Sequence, residues 1–318
     1  MRRSANQTRY NFRSVAAAIG LLSMASACSA AAAVDAPAGS KTETVSLYLN
    51  VEKDGKLITG LQRGNFRLSE DGKSREFRLE KPEEPASIAF LVEYSASSVA
   101  FLEDIAYVFD GFQAHGVEGH WYALATFANT LEIHTDFTEQ LGEITQTYAA
   151  LGPATWNEVN TYDAVYEMLD KMGRLPGRRI LVVVGSGIDT FSEHNMDDVK
   201  KKIEADNVTV FAAGLGSLLR GAYDPYMTSY GQMQLIQAQA FLQMLAAKSG
   251  GFAWFPKMTN AFHDVTEGIM QSIAAQYRIV YESKIKGSDK FKKIKVEAFT
   301  VTNDKRQNFK VLTREGWR

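Results

Sequence analysis

Apolar and polar residues alternate along the chain from Thr44 to about residue 82. The segments VSLYLNV, NFRLSE and SREFRLE follow this two-residue period, and Asp-Gly pairs lie between such segments. A two-residue period is typical of strands with one buried face, and Asp-Gly is typical of tight hairpin turns. The pattern predicts a small antiparallel β unit over residues 44–82.

Strands and helices alternate after residue 85. The runs SIAFLVEY, ILVVVGS and VTVFAAGLG are continuously apolar, as expected of parallel strands that are buried on both faces. Apolar residues at helical spacing lie between such runs, while WYALATFA and LEIHTDF predict a strand pair. The alternation predicts an α/β fold over residues 86–275. Its sheet should be doubly wound and mainly parallel, with helices on both faces.

Two segments depart from this alternation. The stretch 217–232 is rich in turn-forming residues and predicts a loop that interrupts the α/β pattern. Near the end of the chain, QYRIVYES and FKKIKVEAF are separated by KGSD, which predicts a closing β-hairpin. We assign this hairpin to a C-terminal extension over residues 276–318.

The first residues have the features of an export signal rather than of a folded segment. Four arginines in an acid-free stretch precede an apolar run over residues 15–27, which is too short for a stable membrane span. Residues 1–27 therefore predict a secretory signal peptide, followed by a tether over residues 28–43. The protein should be exported and reside in the cell envelope or outside the cell.

Cys28, the only cysteine, directly follows Ala25-Ser26-Ala27. Small residues before a cysteine resemble a bacterial lipoprotein signal, in which the thiol is acylated and anchors the protein to a membrane. The alternative is a plain exported protein that is cleaved after Ala27 or within residues 30–33. The protein is then either periplasmic, membrane-anchored through Cys28, or extracellular.

Composition excludes several functional classes. The chain has 318 residues, is 45% hydrophobic and carries a net charge of −2, so it offers no basic excess for a nucleic-acid partner. One cysteine permits no intrachain disulfide and no CxxC pair. The five histidines show no metal-ligand spacing, and GxSxG and P-loop motifs are absent.

Oxygen-bearing side chains follow two of the predicted central strands. Glu93, Ser95 and Ser97 form an acidic-x-Ser-x-Ser loop, and Ser186 and Asp189 follow the ILVVVG strand. Ligands of doubly wound sheets bind at the carboxyl ends of the strands, and oxygen donors suit Mg²⁺ or Ca²⁺. These five residues are the candidate metal ligands, although a serine here also suits a helix N-cap.

Over residues 44–318 the sequence resembles the von Willebrand factor type A superfamily, and most closely its secreted bacterial VWFA-related branch. The resemblance is carried by the leading β unit, the Glu93-x-Ser-x-Ser loop, NTYDAVYEM, Gly185-Ser-Gly-Ile-Asp189 and the closing TREGW. It implies a Rossmann-like fold, a metal-ion-dependent adhesion site and a protein partner.

The sequence departs from the adhesion site that the resemblance implies at three places. Glu93 replaces the leading aspartate, Val159 aligns with the metal-facing threonine, and Ser186 replaces the third-loop aspartate. Thr161 could substitute for Val159 only after a two-residue shift of the loop. The site is therefore expected to be degenerate, so we expect no cofactor, and weak Mg²⁺ or Ca²⁺ binding stays open as the alternative.

The expected function is an exported, envelope-associated binding module of adhesion type, with no catalytic residues. A protein or another envelope macromolecule is the expected partner, and membrane contact is expected only through Cys28. Aromatic, Met and Arg side chains, which are enriched in interfaces, supply the candidate partner surface. They are Tyr94, Arg220, Tyr223, Tyr226, Met227 and Tyr230. The alternatives are a structural envelope scaffold and a metal-assisted hydrolase that uses Glu93 or Asp189 as a base.

Overall fold

A computed structural model describes residues 42–115, 119–258, 261–284 and 290–318 of the protein. The predicted signal peptide, Cys28 and nearly all of the tether lie outside the described residues. Within the described ranges, no helix is both long and apolar enough to cross a membrane.

The described chain begins with five strands, continues through alternating helices and strands, and closes with four strands. The first five are β1 (Thr42–Lys53), β2 (Lys56–Leu57), β3 (Phe66–Glu70), β4 (Lys73–Arg75) and β5 (Arg78–Glu80). The middle elements are β6 (Ala86–Glu93), α1 (Leu102–His115), β7 (Trp121–Phe127), β8 (Leu131–Thr138), α2 (Leu141–Ala149), α3 (Thr161–Gly173), β9 (Arg178–Gly185), α4 (Met196–Ala205), β10 (Thr209–Gly214), α5 (Gly216–Tyr223), α6 (Ser229–Ser249), β11 (Ala253–Trp254) and α7 (Phe262–Ala274). The last four are β12 (Tyr277–Lys284), β13 (Lys292–Thr302), β14 (Lys305–Thr313) and β15 (Gly316–Trp317).

The middle elements form the predicted α/β unit. Its sheet has the order β11-β10-β9-β6-β7-β8, in which only β8 runs antiparallel to its neighbour. The unit's own first and fourth strands, β6 and β9, therefore lie side by side at the centre, as in the doubly wound order. This confirms the mainly parallel sheet and the strand pair expected from the sequence, and the pair is antiparallel.

Helices cover both faces of this sheet because its central strands are apolar on both sides. One core packs the sheet against α1, α5 and α7, and the other packs it against α3, α4 and α6. Polar residues fix the helix ends: the Asn195 side chain accepts hydrogen bonds from two amides of the first turn of α4. Gly250 ends α6 in the left-handed conformation, with a φ of 85°.

The first and last strands form one second sheet, not two separate units. Its order is β4-β3-β13-β14-β1-β12-β5, with β2 and β15 paired to β1 and β13 outside this order. The inward-facing residues of β1, among them Leu47 and Leu49, contribute to a single core with residues of β3, β12 and β13. β4 and β5, the strands at the two ends of this order, directly follow one another in the chain. We call this second sheet, formed by β1–β5 and β12–β15, the curled sheet.

The predicted closing hairpin is wrong. QYRIVYES forms β12 and FKKIKVEAF forms most of β13, but β1 and β14 lie between them in the sheet. The actual hairpin joins β13 to β14 through Asn303-Asp304, both with positive φ, as two-residue hairpin turns require. β1 is buried on both faces over much of its length, and such a strand needs a partner on each side.

Stretch 217–232 is also not the predicted loop. It contains α5, a short 3₁₀ turn at Asp224–Tyr226 and the first turn of α6. Pro225 lies in that turn and ends one helix before the next begins, so the turn-forming residues mark a helix boundary. α2 is an element that the sequence pattern did not predict.

Buried polar contacts join the two units. The Asn50 amide of β1 donates to the Ser272 carbonyl of α7 over 2.8 Å. Arg314 from the curled sheet donates to the Glu204 carbonyl of α4 over 2.6 Å. Burial lowers the pKa of Arg314 to about 10, although nearby tyrosine and carboxylate groups oppose the shift. These directional contacts help to hold the two units in one arrangement.

Candidate functional site

Glu93 is the last residue of β6, at the centre of the sheet. The apolar strand before it is buried on both faces, and the chain then turns sharply through Ser95 and Ser98. The Ser95 amide donates to the Ser98 hydroxyl over 3.0 Å, and the Ser98 amide donates to the Ser95 carbonyl over 3.0 Å. These local bonds fix the serine loop beside the switch point between β6 and β9.

The Glu93 carboxylate accepts four hydrogen bonds from its surroundings. One oxygen accepts from the hydroxyls of Ser95, at 2.9 Å, and Ser97, at 3.3 Å. The other accepts from both the amide and the hydroxyl of Ser186, each at 2.6 Å. Glu93 is 0% exposed. The structure therefore brings four of the five predicted ligands together, but as a closed hydrogen-bonded group that we call the Glu93 cluster.

The cluster is closely packed on the side of β9. A Cβ atom placed on Gly185 would lie 2.9 Å from the Glu93 Cβ and 3.0 Å from its Oε2. Real Cβ atoms essentially never lie under 3.0 Å from other atoms, so a larger residue at position 185 would displace the Glu93 side chain. Gly185 therefore allows β9 to lie close to Glu93.

Asp189, the fifth predicted ligand, is engaged elsewhere. Its Oδ1 accepts from the Tyr162 amide at 3.0 Å and from the Ser192 hydroxyl at 2.5 Å. Val159 is buried, and the Thr161 hydroxyl donates to the Ile188 carbonyl, so neither presents a free oxygen to the Glu93 cluster. Asp189 organises the start of α3, as a carboxylate near a helix N-terminus commonly does.

The cluster contains one carboxylate and three hydroxyl groups as oxygen donors. Mg²⁺ needs near-octahedral oxygen ligands at about 2.0–2.1 Å, whereas the one carboxylate here already accepts four hydrogen bonds. In the described part of the chain, no group of three or more His, Cys, Asp or Glu side chains is placed to hold a metal ion.

Asp163 and His194 form a second polar contact near this edge of the sheet. Asp163 accepts from the His194 amide at 2.9 Å and from the Glu193 amide at 2.9 Å, and its Oδ1 lies 2.7 Å from His194 Nδ1. Burial opposes the charge of Asp163, but these donors outweigh it and lower the pKa of the carboxyl. His194 also stacks on Tyr166, with 3.8 Å between ring centroids. This contact anchors the loop after β9.

The predicted partner residues fall into exposed and engaged groups. Tyr226 is 85% exposed and Tyr230 is 67% exposed, and Tyr223 is also exposed. Met227 instead packs against the core that contains α1 and α7. Arg220 lies 3.4 Å from the Asp224 carboxylate, within an exposed i,i+4 pair.

Tyr94, the remaining partner candidate, is partly buried. Its hydroxyl donates to the Gly152 carbonyl over 2.7 Å, and its ring packs edge-on against Tyr148. Burial raises the pKa of Tyr94. The side chain supports the loop beside the Glu93 cluster and does not project from it.

Two exposed aromatics at this edge were missed by sequence reasoning. Trp156 is 52% exposed, and its carbonyl accepts from the Ala96 amide at 2.8 Å, so it borders the serine loop. Phe191 is 73% exposed and lies in the loop after β9. The only sequence signal for these two residues was that each is an isolated aromatic side chain in a polar segment. We call Trp156, Phe191, Tyr223, Tyr226 and Tyr230 the edge aromatics.

The sequence matches no family model, and it matches no curated protein. Solved structures do match. An aerotolerance-related membrane protein from Bacteroides fragilis, with multiple mutations to serine, is 15% identical, covers 58% of this chain and 98% of its own, and has a TM-score of 0.45. BatB from Bacteroides thetaiotaomicron, a conserved hypothetical protein, is 12% identical, covers 59% and 99%, and has a TM-score of 0.42.

A third match is the vWF domain of the type V pilus tip protein Mfa5 from Porphyromonas gingivalis. It is 11% identical, covers 60% of this chain and 95% of its own, and has a TM-score of 0.44. The TM-scores of these three structures are all below 0.5. The fold is therefore assigned from the strand order of this chain. With that order and with Glu93 at the switch point, the unit over residues 86–275 has a von Willebrand A-like fold.

Proposed function

We propose that the protein is an exported, envelope-associated binding module of adhesion type that engages a protein partner without a divalent cation. The observation that carries this proposal is the Glu93 cluster, in which hydrogen-bond donors of the protein occupy the carboxylate. The arginine-rich, apolar leader before Cys28 supports export.

Partner contact then has to come from side chains around the cluster. In the superfamily that the sequence resembles, a partner carboxylate commonly completes the coordination of the metal. Here the edge aromatics offer large apolar surfaces that one partner side chain or loop could cover. Aromatic side chains contribute a large share of interface energy when they become buried.

The proposal contains no catalytic step. A general base has to reach the proton that it abstracts, and Glu93 is buried beneath its serine donors. Asp189 is held by the Tyr162 amide and the Ser192 hydroxyl. We therefore favour a binding role over a metal-assisted hydrolase.

The claim about the metal is tested by rebuilding the short carboxylate. The double variant Glu93→Asp with Ser186→Asp shortens the carboxylate that now accepts four hydrogen bonds and adds a second one. The shorter side chains leave space for a cation. We expect Mg²⁺ to leave the melting temperature of the wild type unchanged. In the variant it should stabilise by about 2.7 kcal/mol at a hundredfold excess over the dissociation constant.

Thermal melts with Mg²⁺, Ca²⁺ and a chelator measure this difference. The matched control is Glu76→Asp with Ser74→Asp, which introduces the same changes at exposed positions outside the cluster. A Mg²⁺ or Ca²⁺ stabilisation of the wild type as large as that of the double variant would refute the proposal of metal-independent binding.

The partner surface is tested by crosslinking in intact cells and identifying the captured protein. Tyr226→Ala with Tyr230→Ala should remove the captured species and leave stability within about 0.5 kcal/mol, because exposed side chains contribute little to folding. The control is Tyr107→Ala on α1, which also removes an exposed tyrosine. Unchanged capture by the double variant would favour the scaffold alternative.

A further inference from the structure

A groove of about 720 Å³ lies between the α/β unit and the curled sheet. Phe252 and Trp254 line one side together with α7, while the turn after β1, β2 and Lys310 line the other. The lining shares no residue with the Glu93 cluster or with the edge aromatics, so this groove is separate from the proposed partner surface.

Two open strand edges border the groove. β11 is the last strand of the six-stranded sheet and pairs only with β10 in the described chain. β2 pairs only with β1 within the same described ranges. Residues of both strands line the groove. Open edges present unpaired amides and carbonyls, which an added strand can satisfy.

The floor of the groove suits the side chains of an extended segment. Phe252, which directly precedes β11, and Trp254 on β11 lie with 5.5 Å between their ring centroids. Gly268 lets Trp254 lie against α7, since a Cβ there would be 3.0 Å from the indole Cζ2. Ala274 and Ala275, at the end of α7, leave space beside these rings. An extended segment places alternate side chains on one face and would insert them here.

The charge at the groove favours an acidic occupant. Lys310 and Lys56 both line it. Glu52 accepts from Lys310 at 3.1 Å, whereas Lys56 forms no ion pair within the described ranges. The groove therefore keeps one uncompensated positive charge beside an apolar, aromatic floor.

We propose that this groove binds an extended, acidic segment of another protein, which adds a strand to the open edge of β11. Backbone hydrogen bonds to β11 supply affinity. Alternate apolar side chains contact Phe252 and Trp254, and an acidic side chain pairs with Lys56.

Fluorescence anisotropy with the full chain tests this binding. The probe is a labelled eight-residue peptide that alternates valine with glutamate, and the comparison peptide alternates valine with lysine. We expect saturable binding of the acidic peptide and at least tenfold weaker binding of the basic one. The absence of saturation by the acidic peptide up to about 1 mM, or equal affinity for both, overturns the proposal.

Two substitutions place the peptide in the groove. Ala274→Trp fills the floor and should weaken binding at least tenfold, while Ala240→Trp on the exposed side of α6 should not. Lys56→Glu should weaken binding of the acidic peptide about fivefold, while Lys305→Glu, the same charge change at an exposed lysine outside the lining, should not. Equal effects of the paired variants overturn the assignment to this groove.

Hydrogen exchange separates strand addition from other modes of binding. The acidic peptide should slow exchange of the backbone amides over residues 252–255 in the wild type but not in Ala274→Trp. Protection confined to the edge aromatics would overturn this proposal and leave the proposed partner surface intact. Unchanged partner capture by Tyr226→Ala with Tyr230→Ala, together with protection of residues 252–255, would overturn the partner surface and leave this proposal intact.

Discussion

Each of the two units contains a glutamate that is at most 1% exposed, and these two glutamates are satisfied in different ways. Glu93 in the α/β unit accepts hydrogen bonds from three serines and has no cationic partner among the described residues. Glu70 in the curled sheet accepts from Tyr281 at 3.0 Å and Ser283 at 2.7 Å, and lies 2.7 Å from an Arg75 nitrogen.

The difference separates a carboxylate with a counterion from one held only by hydroxyl and amide donors. Glu70 joins β3, β4, β12 and, through Trp317, β15, so it ties distant parts of the chain together. Glu93 joins only the ends of the two central strands. Removal of the negative charge therefore leaves a counterion unpaired at Glu70 but not at Glu93.

The largest expected effect comes from removing the charge of Glu70. Glu70→Gln leaves Arg75 without its partner and places an amide among hydroxyl and indole donors. We expect a loss of about 3 kcal/mol in the free energy of unfolding, measured by urea denaturation. Glu76→Gln, at an exposed ion pair with Arg63, serves as the control and should lose less than about 1 kcal/mol. Equal losses in the two variants would contradict the structural role of Glu70.

A smaller effect is expected at the other glutamate. Glu93→Gln keeps the shape of the side chain but turns one acceptor toward Ser186 into a donor, and no counterion is left unpaired. We expect a loss of about 1–2 kcal/mol in the same denaturation experiment. A loss larger than that of Glu70→Gln would show that the cluster, not the curled sheet, holds the more important buried charge.

The pH dependence of stability should sharpen the comparison further. Burial opposes the charge of Glu70, but its hydrogen bonds to Ser283, Tyr281 and Trp317, with Arg75, outweigh burial and lower its pKa from 4.5. A carboxyl with a lowered pKa stabilises the fold fully above its unfolded value and less as the pH falls through its folded value. The difference in stability between wild type and Glu70→Gln should therefore shrink as the pH falls below about 4.5.

Urea denaturation from pH 7 to pH 3 measures this difference. Subtracting the free energy of unfolding of the variant from that of the wild type at each pH removes the contributions of other carboxylates with lowered pKa values, such as Asp163 and Asp170. A difference that stays constant over this range would mean that the pKa of Glu70 is the same in the folded and the unfolded protein.

The sequence by itself determined the α/β unit and the types of residue at its switch point. Continuous apolar runs identified β6, β9 and β10, because strands buried on both faces need no polar alternation. The sequence also predicted that the loop from Glu93 to Ser97 lies close to the serine after β9, because parallel strands end at one edge of the sheet.

Only the tertiary structure decided how β1 pairs and what Glu93 contacts. The partners of β1 come from β12 and β14, more than 220 residues away, and local turn signals carry no information about such distant pairing. The hydrogen bonds between Glu93 and Ser186 depend on the distance between the ends of β6 and β9. The amino-acid sequence pattern does not specify that distance. Only the fold brings Ser186, which follows β9, within 2.6 Å of the Glu93 carboxylate at the end of β6, because the two residues lie 93 positions apart in the chain.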